Sequence, residues 1–235
     1  MAFKEIQSSV GEQIFATTNE NTREKFIVRT YNHLFGSILA FTGLEILFFK
    51  TGLAQYIASA LLSVNWFIVL GGFVVTSWIA SRAAHTSKKL SSQYLALGFY
   101  VLVESIIFVP LLYIANHYAP GIISSAALVT LLGFGGLTFI ALWTRKDFSF
   151  LGGLLKWGGI VALLFIGGSL LFGFNLGTYF SVGMVGLAGA AILYDTSKIL
   201  HHFPEDRYVA AALELFASVA LMFWYVLRLF LGSRR

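Results

Sequence analysis

Four carboxylates, Glu45, Glu104, Asp195 and Glu214, fall inside or at the edges of long apolar runs. An ionisable side chain at the centre of a lipid-crossing helix costs at least about 2.5–3.5 kcal/mol, so such residues are by default signs of function. Asp195 has the most specific surroundings. It closes the small-residue run 181–202, SVGMVGLAGAAILYDTSKILHH, one turn before Lys198 on the same helical face and two turns before His202. Arg82 of an earlier apolar run emerges at the same end. Desolvation favours a proton on such a carboxyl, whereas a neighbouring cation favours the bare carboxylate. The balance lets the group exchange a proton, an arginine or a metal ion as its partner. That is the chemistry of a gate. A permanent pair of Asp195 with Arg82 or Lys198, without switching, would use the same residues. Glu104 lies deepest, about halfway along its run, and reads equally as a protonated, hydrogen-bonded bridge between helices. Glu45 and Glu214 lie within a few residues of a run's end, where a side chain can reach headgroup water.

Other chemistries find little support, and the chain is expected not to be an enzyme. Neither a G-x-S-x-G elbow nor an H-E-x-x-H pair occurs. His33, His85, His117, His201 and His202 sit at the ends of apolar runs or between them. The adjacent His201 and His202 would point about 100° apart on a helix, which suits a solvated pair better than a metal site. An intramembrane aspartyl protease needs aspartates from two runs, and only Asp195 is available. A retinal protein needs a lysine within the last run, which has none. With no cysteine in the chain, disulfides, thiol catalysis and thiolate metal sites are excluded together. No resident cofactor is expected.

The elements that position these residues are membrane helices. Only 11% of the 235 residues are charged and 57% are hydrophobic, against about 25% charged in a soluble domain. Apolar runs at about 29–49, 65–84, 93–115, 121–143, 151–172, 178–200 and 209–231 are each long enough to cross a hydrocarbon core about 30 Å thick. Continuous runs of this length exclude a barrel of short alternating strands. The predicted fold class is therefore all-α, a polytopic membrane protein with seven transmembrane helices. It divides into a cytoplasmic lead-in over 1–28, a membrane domain over 29–231 and a tail over 232–235. With the N-terminus inside, twelve Lys and Arg fall on the inside and four outside, which fixes the expected orientation. Three of those four lie at the extreme C-terminus, so a last helix that fails to cross is the competing expectation. The net charge of +5 is spread between apolar runs rather than along one face. It reflects topology, and no nucleic-acid partner is expected. Gly183, Gly186 and Gly189 recur every third residue, and small residues at that spacing predict close helix packing around the sixth run.

Leu193-Tyr194-Asp195-Thr196-Ser197-Lys198-Ile199, the turn Arg145-Lys146-Asp147-Phe148-Ser149-Phe150-Leu151 and the ending Phe223-Trp224-Tyr225-Val226-Leu227-Arg228-Leu229 together resemble the Bax inhibitor family in its bacterial branch. The resemblance spans about 29–231. It implies seven helices with the last enclosed by the other six, a pH-sensitive calcium leak, and residence in the bacterial inner membrane. It also implies suppression of cell death by eukaryotic members and, for a bacterial relative, interaction with the membrane-bound FtsH protease. In leak members, aspartates on the sixth and seventh helices share a proton or a calcium ion, and an arginine at the end of the second latches onto them. Asp195 matches the first aspartate and Arg82 the arginine. Where the family tends to carry the second aspartate, this chain reads Phe216-Ala217-Ser218. Glu214, one turn before Ser218, is the candidate replacement. Calcium wants 6–8 oxygen ligands, so without such a replacement a proton-linked or protease-modulating role gains ground over the calcium role.

Overall fold

The computed structural model describes the backbone of residues 2–87 and 89–233, with side chains from residue 21 onward except at 66, 67 and 88. Much of the expected lead-in, Lys88 of the basic loop and the last two residues lie outside the described side chains. The elements are α1 (Ala2–Thr51), α2 (Leu53–Ser63), α3 (Trp66–Thr86), α4 (Leu90–Tyr118), α5 (Ile122–Thr144), α6 (Leu151–Phe172), α7 (Thr178–His201), a single 3₁₀ turn (Glu205–Arg207) and α8 (Tyr208–Gly232). Among the described residues there is no strand. Seven helices, α1 from Asn21 onward and α3 to α8, are long and apolar enough to cross a membrane.

One helix is absent from the sequence reading. Gly52 takes a left-handed backbone (φ 78°) that ends α1, a conformation open to glycine at little cost. The chain then folds back as α2, whose Ala54 and Ala58 pack near Val109 of α4. At 11 residues α2 is too short to span a bilayer, and a short apolar helix of this kind leaves no separate signal beside a long one.

Burial identifies the centre. In α8, 72% of the most apolar window is buried, against 39% in α7 and 6% in α6. α8 packs against α1, α3, α4, α5 and α7, and its 25 residues cover about 37 Å, enough to cross completely. The central helix is therefore the last one, with α7 alongside it. The glycine stripe of α7 contributes less than its spacing suggested. A Cβ at Gly189 would come within 3.2 Å of Leu137, whereas Gly183 and Gly186 have nothing within 4 Å.

Two ties fix the end of the bundle at which α7 gives way to α8. Arg23 of α1 donates from Nε to the carbonyl of Leu200 (3.1 Å) and from Nη1 to that of Phe203 (2.6 Å). It thereby satisfies carbonyls that the end of α7 leaves open. Ser197 of α7 accepts the backbone N–H of Phe148 at 2.8 Å, which holds the α5–α6 turn against α7.

Candidate functional site

A cavity of about 320 Å³ opens between α3, α4, α7 and α8 at that same end. Asp195, Lys198, Glu214, Ser218, Tyr100 and Ser81 line it. A larger cavity of about 600 Å³, mostly apolar, lies toward the opposite end. The grouped charges are in the smaller one.

Asp195 and Ser218 meet because α7 and α8 are each other's main neighbours. Asp195 is 8% exposed, and the Ser218 hydroxyl donates to its Oδ2 at 2.6 Å. The only side chain bonded to Asp195 among the described residues is thus neutral. Lys198 turns to Glu214 instead, donating to both carboxylate oxygens at 2.8 and 2.9 Å. His85 of α3 faces Glu214 through Nε2 at 2.6 Å and the carbonyl of Ser81 through Nδ1 at 2.7 Å. A carbonyl can only accept, so Nδ1 carries a hydrogen. The contact with Glu214 then holds a further proton between ring and carboxyl. With that proton on the ring, the positive charges of Lys198 and His85 cancel the negative charges of Glu214 and Asp195. Glu214, Lys198 and His85 all lie near enough to act on Asp195 electrostatically, as Asp195 does on Tyr31 of α1.

The expected latch is placed differently. Arg82 lies on an exposed part of α3, its guanidinium 5.4 Å from the centre of the Trp78 ring, and it makes no ion pair with Asp195 among the described residues. His85, three positions further along α3, reaches the cavity in its stead and meets Glu214. The expected Asp195 to Lys198 pair is likewise replaced by Glu214 to Lys198. Glu104 is 5% exposed on α4, one turn from Tyr100, and its Oε2 has no hydrogen-bond partner. Tyr100 lines the cavity and Glu104 does not. Glu45 is 7% exposed, and among the described residues neither of its oxygens has a hydrogen-bond partner.

Sequence reasoning missed His85 and Asp147. The signal for His85 was a basic last turn of one helix at the same end of the bundle as an acidic first half of another. Only packing could say that they face each other. Asp147, in the α5–α6 turn, sits 3.0 Å from His202 Nε2, accepts the backbone N–H of Ser149 at 2.9 Å and lies 3.3 Å from the Ser197 hydroxyl. The His202 bond, followed by those from Ser149, holds its carboxyl below the usual aspartate range. His201 bonds the carbonyl of Ser197, so the two histidines do diverge.

Seven apolar helices around a buried last one, with a cluster of ionisable groups cut into one end, define a multi-pass α-helical membrane protein. Its family follows from comparison of the whole chain. The profile of the family described as "Inhibitor of apoptosis-promoting Bax1" matches residues 23–235, and the chain belongs to that Bax inhibitor family. It is 33% identical to an uncharacterized protein of Pseudomonas aeruginosa over 169 residues, 71% of this chain and 74% of the other. It is 29% identical to the Golgi anti-apoptotic protein of vaccinia virus over 160 residues, 64% and 62% of the two chains. With the Arabidopsis thaliana protein LIFEGUARD 1 it shares 33% over 110 residues, 43% and 46%.

Proposed function

We propose that this protein is a pH-gated cation leak of the bacterial inner membrane, with calcium as the permeant ion, and that Asp195 is the titrating residue of its gate. The observation that carries this reading is the asymmetry of the two carboxylates in one cavity. Glu214 is bonded by two basic side chains, while Asp195, buried beside it, is bonded among the described residues by a hydroxyl alone. A proton gained or lost at Asp195 therefore changes the charge of the cavity, whereas Glu214 is already compensated. Tyr31, His85, Tyr100, Lys198 and Glu214 face or surround it from α1, α3, α4, α7 and α8. Asp195, Glu214, Ser218 and Ser81 supply oxygens in the same cavity, the hard donors that calcium prefers. In this reading Ser218 and Glu214 form the facing surface of α8. Lys198 and His85 hold the resting state, and Arg82 joins them only if it leaves Trp78. The N-terminus is cytoplasmic, which puts the cavity on the cytoplasmic side.

A second reading is favoured by one specific observation. Ser218 bonds Asp195 where leak members of the family tend to carry a second aspartate, so a carboxylate is missing at the point of contact. On that reading the protein does not conduct and instead binds and restrains a membrane-bound FtsH-type protease.

Calcium entry into dye-loaded proteoliposomes, measured at pH 6 and pH 8 with Asp195→Asn alongside, separates the two. The leak predicts flux from the purified protein alone, with a pH response that Asp195→Asn abolishes. Flux no greater than in empty vesicles at both pH values would discard the leak in favour of protease binding.

A further inference from the structure

The larger cavity lies among α1, α4, α5 and α8. On α1 its lining runs from Ile38 to Lys50, about 18 Å along the axis at 1.5 Å per residue. Its volume of about 600 Å³ is in the range of small-molecule sites. Ile38, Phe41 and Phe216 are among its apolar lining, and Lys50 and Asn116 stand toward the end at which α4 turns into α5.

Glu45 lines this cavity from its middle. It is 7% exposed, and both carboxylate oxygens are buried without a hydrogen-bond partner among the described residues. Thr130, 2% exposed on the facing α5, lines the same cavity, and its hydroxyl oxygen is also unpartnered among the described residues. Buried polar groups are normally bonded, and a carboxylate with two free oxygens is a strong acceptor in a poorly hydrated place. The complement is a group that carries several N–H donors and a positive charge on an apolar body. Lys50 of this chain does not supply it. It lies at the cavity's outer end and is itself exposed, about 7 Å further along the helix axis than Glu45.

We propose that this cavity binds an amphiphile with a primary ammonium head, the ammonium on Glu45 with Thr130 as a second acceptor, and the chain along Ile38, Phe41 and Phe216. A primary ammonium offers three donors, which a trimethylammonium of the same charge lacks, so the site ranks heads by hydrogen bonding as well as by charge. The same head belongs to free long-chain amines and to ethanolamine phospholipids. The proposal is independent of the Asp195 gate, because the two cavities share no lining residue, and flux measurements do not bear on it.

The test is saturable thermal stabilisation of the full-length protein in a neutral maltoside detergent. Decylamine, decyltrimethylammonium and decanol form one series, and lysophosphatidylethanolamine and lysophosphatidylcholine a second. Decylamine is expected to bind about tenfold or more tighter than decanol, the ratio that one charge-assisted hydrogen bond supplies, with decyltrimethylammonium between them. Glu45→Gln should erase that ranking. Ala127→Phe, which fills the cavity from α5, should remove binding of every head alike, and it serves as the second variant should Glu45→Gln fail to fold. Binding of the ethanolamine but not the choline lysolipid assigns a membrane lipid as the source. Binding of decylamine alone assigns free amines, and either result supports the site. Equal affinity for decylamine and decanol, or a ranking unchanged in Glu45→Gln, would overturn the proposal.

Discussion

Glu214 carries the main structural burden of the charged cavity, and its replacement by glutamine measures that burden directly. The carboxylate receives two hydrogen bonds from Lys198 and one contact from His85, all within 2.9 Å. Glutamine keeps one acceptor oxygen but turns an N–H₂ toward a lysine, so about two charge-assisted bonds disappear, each worth about 1.5–3 kcal/mol. The side chains of Glu214, Lys198 and His85 are 20%, 31% and 31% exposed, so water can take over part of what is lost. The net cost of Glu214→Gln is then about 2–3 kcal/mol, or a fall in melting temperature of about 4–12 °C for a chain of this size. Asp195→Asn is the comparison. Its one bond among the described residues comes from the Ser218 hydroxyl, which can donate equally to an amide oxygen, so the cost should stay below about 1 kcal/mol. Thermal unfolding of both variants in the same detergent reads the difference. If Asp195→Asn destabilises as much as Glu214→Gln, then Asp195 is the charge the fold depends on, and its assignment as the free, titrating carboxylate fails.

Further outcomes follow from other parts of the molecule. Ser218→Asp puts a second carboxyl within bonding distance of Asp195 and should tighten calcium binding about tenfold or more, read by isothermal titration; unchanged affinity would show that the missing carboxylate is not what limits the site. Asp147, whose carboxyl is held below the usual aspartate range, stabilises the fold fully above the unfolded aspartate value of about 3.9, and its contribution fades as the pH falls through the still lower folded value. The cost of Asp147→Asn should therefore be constant between pH 5 and pH 8 and shrink only in stronger acid. A cost that already changed between pH 6 and pH 7 would overturn that assignment. On α7, Gly189→Val should destabilise because its added atoms meet Leu137 and Met222, while Gly186→Ala, with open space around it, should be neutral or stabilise by up to about 1 kcal/mol. Equal effects on melting temperature would reject that packing difference.

The membrane class and seven helices long enough to cross were legible along the chain, because hydrocarbon thickness sets a minimum apolar length, and Asp195 was legible as a candidate because a carboxylate inside such a length stands out against it. Local spacing failed where a choice of partner was involved. Lys198 lies one turn from Asp195, yet it bonds Glu214, since rotation of α7 against α8 decides which carboxylate its ammonium meets. Arg82 and His85 share the last turns of α3, less than one helical turn apart, and the packing of that helix sends His85 to the cavity and Arg82 to Trp78. Glu45 has a sequence position close to a helix end but is buried, beside a cavity lined from three other helices. The sequence by itself determined which segments are long and apolar enough to cross a membrane and how far along each helix its ionisable residues stand, because rise per residue is fixed. Only the tertiary structure decided which of them meet, because partners on different helices are chosen by helix rotation and by what packs around them, and neither leaves a periodic trace in a single chain.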